Sequence, residues 1–122
     1  MIIDYKYVDD YLMNEIISSL DAMILPYDYS CLNSGPMLQA FLNGTNVIGT
    51  AIGTAYDFPL ELMYTYDYIS DEEHIKKIEN MIGKVYQDFN TGNLDKKNKL
   101  LQEYTLSHNS WKDIEKIVNT II

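Results

Sequence analysis

The loop between Tyr27 and Pro36 concentrates the side chains that could bind a ligand or take part in chemistry. Its candidate polar and nucleophilic members are Ser30, Cys31, Asn33 and Ser34. A proline at the first position of a helix wastes no backbone donor, so a helix is expected to begin at Pro36. The free N–H groups of a helix N-terminus suit an anion, above all a phosphate. The sequence therefore predicts an anion site where this loop enters the helix.

Two predicted strands and one helix would position this loop. The apolar run 22–25 has the length of a buried strand, and residues 46–49 repeat that pattern after the helix. The helix between them has an apolar face and ends at Gly44. The residues of that face are Met37, Leu38, Phe41 and Leu42. In parallel α/β sheets, ligands bind beside the carboxyl ends of the strands, which is where this loop lies.

The rest of the chain continues the alternation of strands and helices. Residues 2–8 have the β-branched and tyrosine composition of a strand, and a helix with Leu12, Ile16 and Leu20 on one face follows from Tyr11. Residues 61–66 are a plausible further strand. The series predicts one α/β domain over residues 1–122, with a small parallel Rossmann-like sheet of about four strands and C-terminal helices.

Three helices are predicted after the last strand. Ser70 with Glu73 forms a capping box at the start of a helix that runs to about residue 89, with Ile75, Ile78, Ile82, Val85 and Phe89 on its apolar face. A turn at 90–93 precedes a second helix over 94–107, whose apolar residues are Leu94, Leu101 and Tyr104. A third helix is expected to begin at Ser110, and the next residue, Trp111, is expected to anchor it by packing.

Composition excludes several classes of partner. The formal net charge is -9, and all nine basic residues are lysines. Nucleic acids and anionic membranes require concentrated positive charge, so neither is expected as a partner. A lone Cys31 excludes an internal disulfide, and no apolar run has the length of a membrane span. No metal or cofactor spacing is present, and the cytoplasm is the expected compartment.

The central stretch resembles part of a known family. SGPMLQAFLNGTNVI is similar to the motif G-L-P-x-L-E-A-x-x-x-G-x-P-V-I of B-type, two-Rossmann-domain retaining glycosyltransferases. The resemblance covers residues 1–66 and, more loosely, the C-terminal helices. It implies a truncated donor-binding half that holds a nucleotide sugar. The donor-binding residues it carries over are Ser34, Gly35, Met37 and Gln39.

Two departures from the family motif bear on activity. The family's pair of glutamates aligns with Cys31 and Gln39, and neither can supply a carboxylate. The resemblance therefore implies no catalytic residue here, and a hexosyltransferase activity only as part of a complete enzyme. The family has two further strands between the first two of this chain, so residues 2–8 either pair beside 22–25 or leave an edge for a homodimer or another partner chain.

Other interpretations remain open at the level of sequence. The scaffold could instead be a non-catalytic protein-interaction or regulatory domain. Cys31 could be a nucleophile, although a small buried thiol is the simpler interpretation. Asp9, Asp10 and Asp28 follow predicted strands and could hold Mg²⁺, or cap helices and solvate loops. Eleven tyrosines, several near predicted strand ends, could stack on a base or sugar or simply edge the sheet.

Overall fold

A computed structural model describes residues 10–29 and 34–108 of the chain. The helices are α1 (Asp10–Ser18), α2 (Gly35–Leu42), α3 (Asp71–Thr91) and α4 (Asn93–His108). The strands are β1 (Ala22–Leu25), β2 (Asn46–Thr50) and β3 (Tyr64–Tyr66), and 3-10 turns cover Gly53–Asp57 and Leu60–Leu62. The predicted α/β alternation is confirmed over this part of the chain.

The described strands form one parallel sheet in the order β1-β2-β3. Ala22 aligns with Asn46, and Ile48 aligns with Tyr64. The sheet of the described residues has three strands instead of the predicted four or so. The predicted first strand, residues 2–8, lies outside those residues, as do the predicted last helix from Ser110 and Trp111.

One face of the sheet is covered by α1, α2, α4 and the two 3-10 turns. Its core is centred on Phe41 and Val47 and draws Ile17 from α1 and Leu101 from α4, all of them nearly or fully buried. The rings of Phe41 and Phe58 meet edge to face at 4.8 Å. This packing fixes the beginning of α2 against the strands, which positions the loop that enters it.

Among the described residues, the opposite face is covered mainly by α3. Ile48, Tyr64 and Tyr66 form its buried layer together with Leu94 at the start of α4. From α3, Ile78, Met81 and Val85 pack against this layer. Since α3 lies over β2 and β3, Ile24 on β1 stays 46% exposed on this face. The described elements therefore cover β2 on both faces, whereas on the α3 face of β1 they cover Ala22 in part and leave Ile24 largely exposed.

Three details of the sequence prediction are corrected by the structure. The strand predicted over 61–66 is shortened to Tyr64–Tyr66, because Pro59 starts a 3-10 turn closed by the bond from the Leu62 N–H to the Pro59 carbonyl at 3.1 Å. Helix α1 buries Ile17, whereas its predicted apolar row is exposed. That row comprises Leu12, Ile16 and Leu20. Three of the five residues on the predicted apolar face of α3 are exposed as well, namely Ile75, Ile82 and Phe89.

The ends of α3 follow their local signals. The Ser70 hydroxyl accepts a hydrogen bond from the Glu73 N–H at 3.2 Å, which confirms the predicted cap. The helix ends at Gly92, whose φ of 81° lies in the left-handed region that favours glycine. This turn lets α4 pass from the face of the sheet that α3 covers to the opposite face.

Candidate functional site

The candidate site lies at the carboxyl edge of the sheet, where β1, β2 and β3 all end and where α2 and α3 begin. Parallel strands run in the same direction, so their carboxyl ends lie at one edge of the sheet and the segments that follow them meet there. The hydroxyl of Thr50, the last residue of β2, donates to the carbonyl of Tyr27 after β1 at 2.7 Å. The edge divides into an α2 half and an α3 half on the two sides of this contact.

In the α2 half, Ser34 closes the start of the helix. Its Oγ accepts from the Met37 N–H at 3.0 Å and lies 2.7 Å from the Tyr27 hydroxyl. The Ser34 N–H donates to Thr54 Oγ1 at 2.9 Å. The residue is buried, so this small network ties the segment after β1 and the segment after β2 to one helix end. This hydrogen-bond network is part of the structure of the carboxyl edge.

The four predicted donor-binding residues fall into two groups, one at the start of α2 and the other, Gln39, further along the helix. Ser34, Gly35 and Met37 lie together at the start of α2, but the N–H groups of Ser34 and Met37 are already hydrogen-bonded as described above. Gly35 is exposed and has open space around it, with no atom within 4 Å of the position that a Cβ would take. Since the other two N–H groups are already hydrogen-bonded, that of Gly35 is the candidate among the three for an anion.

Gln39 lies one turn further along α2 and turns away from the edge. Its Nε2 donates to Asn14 Oδ1 of α1 at 3.0 Å, in an exposed hydrogen bond. Contact with a ribose would require Gln39 to give up this bond. Exposed hydrogen bonds of this kind contribute little to stability, so the exchange would cost about 1 kcal/mol or less.

The α3 half of the edge is aromatic. The rings of Tyr29 and Tyr68 stack with their centroids 5.0 Å apart, and the ring of Tyr68 stacks on that of His74 with their centroids 3.9 Å apart. The Tyr29 hydroxyl donates to Asp67 at 3.2 Å and accepts from the Tyr68 N–H at 2.9 Å. This aromatic stack of Tyr29, Tyr68 and His74 gives the edge a flat surface on which a base or sugar ring could lie.

Two buried polar atoms at or beside this stack have no hydrogen-bond partner among the described residues. They are the hydroxyl of Tyr66, a residue only 5% exposed, and Nε2 of His74. The two rings are 5.4 Å apart. Buried polar groups are normally paired, and a water molecule or a ligand group is the usual partner when the protein supplies none. Burial raises the pKa of Tyr66, although the nearby Thr50 side chain opposes the shift, so Tyr66 stays protonated at neutral pH.

The electrostatics of the edge are unfavourable to anions. Burial, and then the negative charges of Asp28 and Asp71, raise the pKa of Tyr68. The lysines of the described residues all lie on α3 and α4. Only the amides and the N-terminal dipole of α2 would face a phosphate from the α2 half, which favours weak binding of a charged ligand.

A cleft lies beside β3, away from the carboxyl edge. It is open, has a volume of about 440 Å³ and is lined by Tyr64, Asp88 and Lys97 among other residues. The Tyr64 hydroxyl donates to Asp88 Oδ2 at 2.5 Å, and Lys97 Nζ lies 2.9 Å from the same oxygen. Burial, together with the Asp88 carboxylate, raises the pKa of Tyr64 well above its ordinary value. These three groups satisfy one another, which is typical of a structural network joining β3 to α3 and α4.

The sequence reasoning missed the aromatic stack as a unit. The candidate residues from sequence include tyrosines near predicted strand ends, but His74 is not among them. Contacts such as Tyr29 to Tyr68 join residues 39 positions apart and leave no local signal. Cys31 lies outside the described residues. Within the described ranges, no group of three metal-binding side chains lies close enough together to hold an ion.

Comparisons with models of protein families, with curated proteins and with solved structures find no match for this chain. The glycosyltransferase resemblance therefore rests on the sequence motif alone. Fold and site define a class: a small Rossmann-like α/β domain with a polar and aromatic carboxyl edge. In the part of the chain that the structure describes, no helix has both the length and the apolar character needed to span a bilayer.

Proposed function

We propose that this domain binds a nucleotide sugar, or its nucleotide part, at the carboxyl edge and does not catalyse transfer alone. The observation that carries the proposal is that the α2 N-terminus and the aromatic stack both lie at the carboxyl edge of three parallel strands. Ligands of this fold class bind at such an edge. The cytoplasm remains the compartment expected from the sequence.

Each half of the edge suits one part of such a ligand. The Gly35 N–H and the α2 dipole face the position of a phosphate. The stack of Tyr29, Tyr68 and His74 suits a base, since every base has a flat π-face. The buried Tyr66 hydroxyl and the Nε2 atom of His74, which is itself part of the stack, could pair with polar groups of a ligand or with water that it carries. Gln39 would reach a ribose hydroxyl after leaving Asn14.

The absence of transfer activity follows from the residue types. Cys31 and Gln39 stand where the resembling family has glutamates, so no carboxylate is available from those two positions. The charge of a diphosphate would be met by backbone amides beside an acidic edge. We therefore expect a dissociation constant of about 1 mM, equivalent to about 4 kcal/mol of binding free energy.

An amide NMR titration of the ¹⁵N-labelled full chain tests the proposal. The ligands are UDP, GDP and their common sugar conjugates, with uridine and inorganic phosphate as separate arms. Saturable shifts at Gly35, Met37 and Tyr68 are expected with the whole nucleotides. Phosphate alone should move the amides of α2 and leave Tyr68 unmoved. No saturable shift at these three positions with any nucleotide at 10 mM (about ten times the expected dissociation constant) would overturn the proposal.

A matched pair of substitutions assigns the stack. Tyr29→Leu removes a half-exposed ring from the edge, whereas Tyr86→Leu removes an exposed ring from the outer side of α3. Stacking is worth about 1–3 kcal/mol per base, so Tyr29→Leu should weaken nucleotide binding by roughly tenfold. Tyr86→Leu should leave binding unchanged. Equal effects of the two changes would show that the stack is not the binding surface.

A second candidate function is protein interaction on the same scaffold, as a non-catalytic or regulatory domain. The observation that favours it is an exposed apolar row along α3, comprising Ile75, Ile82, Tyr86 and Phe89. Contiguous exposed apolar side chains often mark a contact surface. If no nucleotide binds, a partner chain would be sought on this row and on the edge of β1 that no other described strand pairs with.

A further inference from the structure

The cleft beside β3 is lined by the 3-10 turn before that strand, by β3 itself, by α3 and by the beginning of α4. Its volume of about 440 Å³ lies within the usual range of small-molecule sites, about 300–1,000 Å³. Each of these four elements contributes side chains to, or packs against, one of the two buried clusters of the domain. The walls of the cleft are therefore set by the fold before any ligand binds.

One part of the lining is apolar. Met63 is buried, and Leu60 and Met81 are half-buried against the two clusters. Methionine has a flexible, polarisable side chain that fits irregular apolar shapes. Small-molecule ligands bury most of their surface against residues of this kind, while a few polar groups fix their orientation. This part of the cleft suits the apolar body of a small molecule.

A lysine held in place by the fold supplies one of those polar groups. Lys97 Nζ lies 2.9 Å from Asp88 Oδ2 and 4.7 Å from the centroid of the Tyr64 ring, and the side chain is 29% exposed. An ammonium group carries three donors, and the described residues accept only one hydrogen bond from that of Lys97. Because this side chain is already ordered, binding an anion would cost little further side-chain entropy at Lys97.

Lys84 adds a second ammonium group to the lining. It is exposed and makes no ion pair with another described residue. The lining thus carries two ammonium groups and one carboxylate, that of Asp88, which leaves one net positive charge on a chain whose formal net charge is -9. A ligand with one negative charge matches this balance, whereas a second negative charge would be repelled by the acidic remainder of the chain. All nine basic residues are lysines, so the planar fork with which arginine binds phosphate is absent.

We propose that this cleft binds a small organic monocarboxylate. The ligand's carboxylate accepts hydrogen bonds from Lys97 and Lys84, and its apolar body packs on the three apolar side chains of the lining. The Asp88 carboxylate repels the ligand only weakly, because its Oδ2 already accepts from the Tyr64 hydroxyl and from Lys97. This binding is independent of nucleotide binding, since the cleft shares no residue with the candidate site at the carboxyl edge.

An amide NMR titration of the ¹⁵N-labelled full chain with 3-phenylpropionate tests the proposal. This probe joins one carboxylate to one phenyl ring, and a dissociation constant on the order of 1 mM is expected for a ligand of its size. Saturable shifts are expected at the amides of Thr65, Lys84 and Gln87, whereas the amide of Gly35 at the carboxyl edge should not move. Nuclear Overhauser contacts should connect the phenyl protons to the methyl group of Met81.

Two matched comparisons test the role of charge. The neutral analogue 3-phenylpropionamide should bind about fivefold more weakly, because hydrogen bonds to charged groups are stronger than those between neutral groups. Lys84→Gln removes an exposed ammonium group from the cleft and should weaken binding of 3-phenylpropionate by about threefold, the value of an exposed ion pair. Lys76→Gln makes the same change of net charge at an exposed position of α3 outside the cleft and should leave binding unchanged.

Any one of the following results would overturn the proposal. The absence of saturable shifts at the three cleft amides with about 10 mM 3-phenylpropionate (ten times the expected dissociation constant) would show that the cleft does not bind the probe. Equal affinity for 3-phenylpropionamide would show that the ammonium groups do not recognise the carboxylate. Equal losses in Lys84→Gln and Lys76→Gln would reduce the effect to the net charge of the chain. Inorganic phosphate, titrated separately, would show by an equal affinity at these amides that any anion binds and that the apolar lining plays no part.

Discussion

Replacing Ser34 by alanine removes two interactions that converge on one oxygen. Ser34 Oγ accepts from the Met37 N–H at 3.0 Å and lies 2.7 Å from the Tyr27 hydroxyl. Loss of an N-cap costs about 1 kcal/mol. A Tyr27 hydroxyl left half-buried without its partner costs up to about 1 kcal/mol more. We therefore expect Ser34→Ala to lower the free energy of unfolding by about 2 kcal/mol.

Ser70→Ala is the matched control for the cap. Ser70 Oγ accepts from the Glu73 N–H at 3.2 Å, but Ser70 is exposed. This substitution should cost about 1 kcal/mol, the value of the cap alone. Urea unfolding followed by circular dichroism measures both variants, with the slope m held in common. The excess cost of Ser34→Ala over Ser70→Ala reports the contact with Tyr27.

A double-mutant cycle with Tyr27→Phe isolates that contact. If the two hydroxyls are paired, Tyr27→Phe should cost about 1 kcal/mol less in the Ser34→Ala background than in the unaltered chain. The reasoning would be refuted by zero coupling, or by a Ser34→Ala cost no larger than that of Ser70→Ala. Either result would mean that Ser34 does not tie the segment after β1 to α2.

Two further predictions concern packing and titration. A Cβ at Gly49 would lie 2.6 Å from the backbone oxygen of Leu25, so Gly49→Ala should cost about 1–3 kcal/mol in urea unfolding. Gly83→Ala, with no atom within 4 Å, should stabilise by up to about 1 kcal/mol. Hydrogen bonds from Tyr64 and a neighbouring lysine lower the pKa of Asp88 below 3.8. The ionised Asp88 carboxylate therefore stabilises the folded state above that pH, and this stabilisation is lost on acidification through the folded-state pKa. Asp88→Asn should flatten that acid loss in unfolding measured from pH 7 downward, and an equally steep loss would contradict the assignment.

The elements around α2 could be predicted because their signals are local. Ser34, Pro36 and Gly44 mark the start and end of α2, and the apolar runs beside it are short and unbroken. The cap at Ser70 is equally local. Each of these signals acts within four residues of its own position, where sequence spacing already fixes geometry. Strands β1 and β2 and the helix that positions the site follow from them.

The orientation of α1 could not be predicted from its own sequence. The row Leu12, Ile16 and Leu20 and the row Met13 and Ile17 are both apolar and lie about 100° apart around the helix axis. The position of α2 decides between them, since Ile17 packs against Phe41 in the core. Helix α3 presents the same ambiguity, because the sheet is too narrow to cover its whole apolar face.

The candidate site likewise has one part that the local sequence predicts and another that depends on the fold. Ser34, Gly35 and Met37 are neighbours in sequence, so their grouping needed no tertiary information. The stack of Tyr29, Tyr68 and His74 joins three separate segments and depends on the order of the strands. A residue such as His74 has an ordinary helical context in sequence, and only the fold shows that Tyr68 lies 3.9 Å from its ring.

The balance between the two halves of the edge determines which part of a nucleotide it should recognise. A helix N-terminus contributes about 0.3–1 kcal/mol to an exposed anion, and the nearby Asp28 and Asp71 carboxylates reduce that gain. Stacking on an aromatic surface contributes about 1–3 kcal/mol and is little affected by charge. The base should therefore supply most of the binding free energy, so uridine should bind nearly as tightly as UDP, with little dependence on salt. Binding by phosphate in preference to nucleoside would instead indicate that the α2 N-terminus dominates and that the stack is structural.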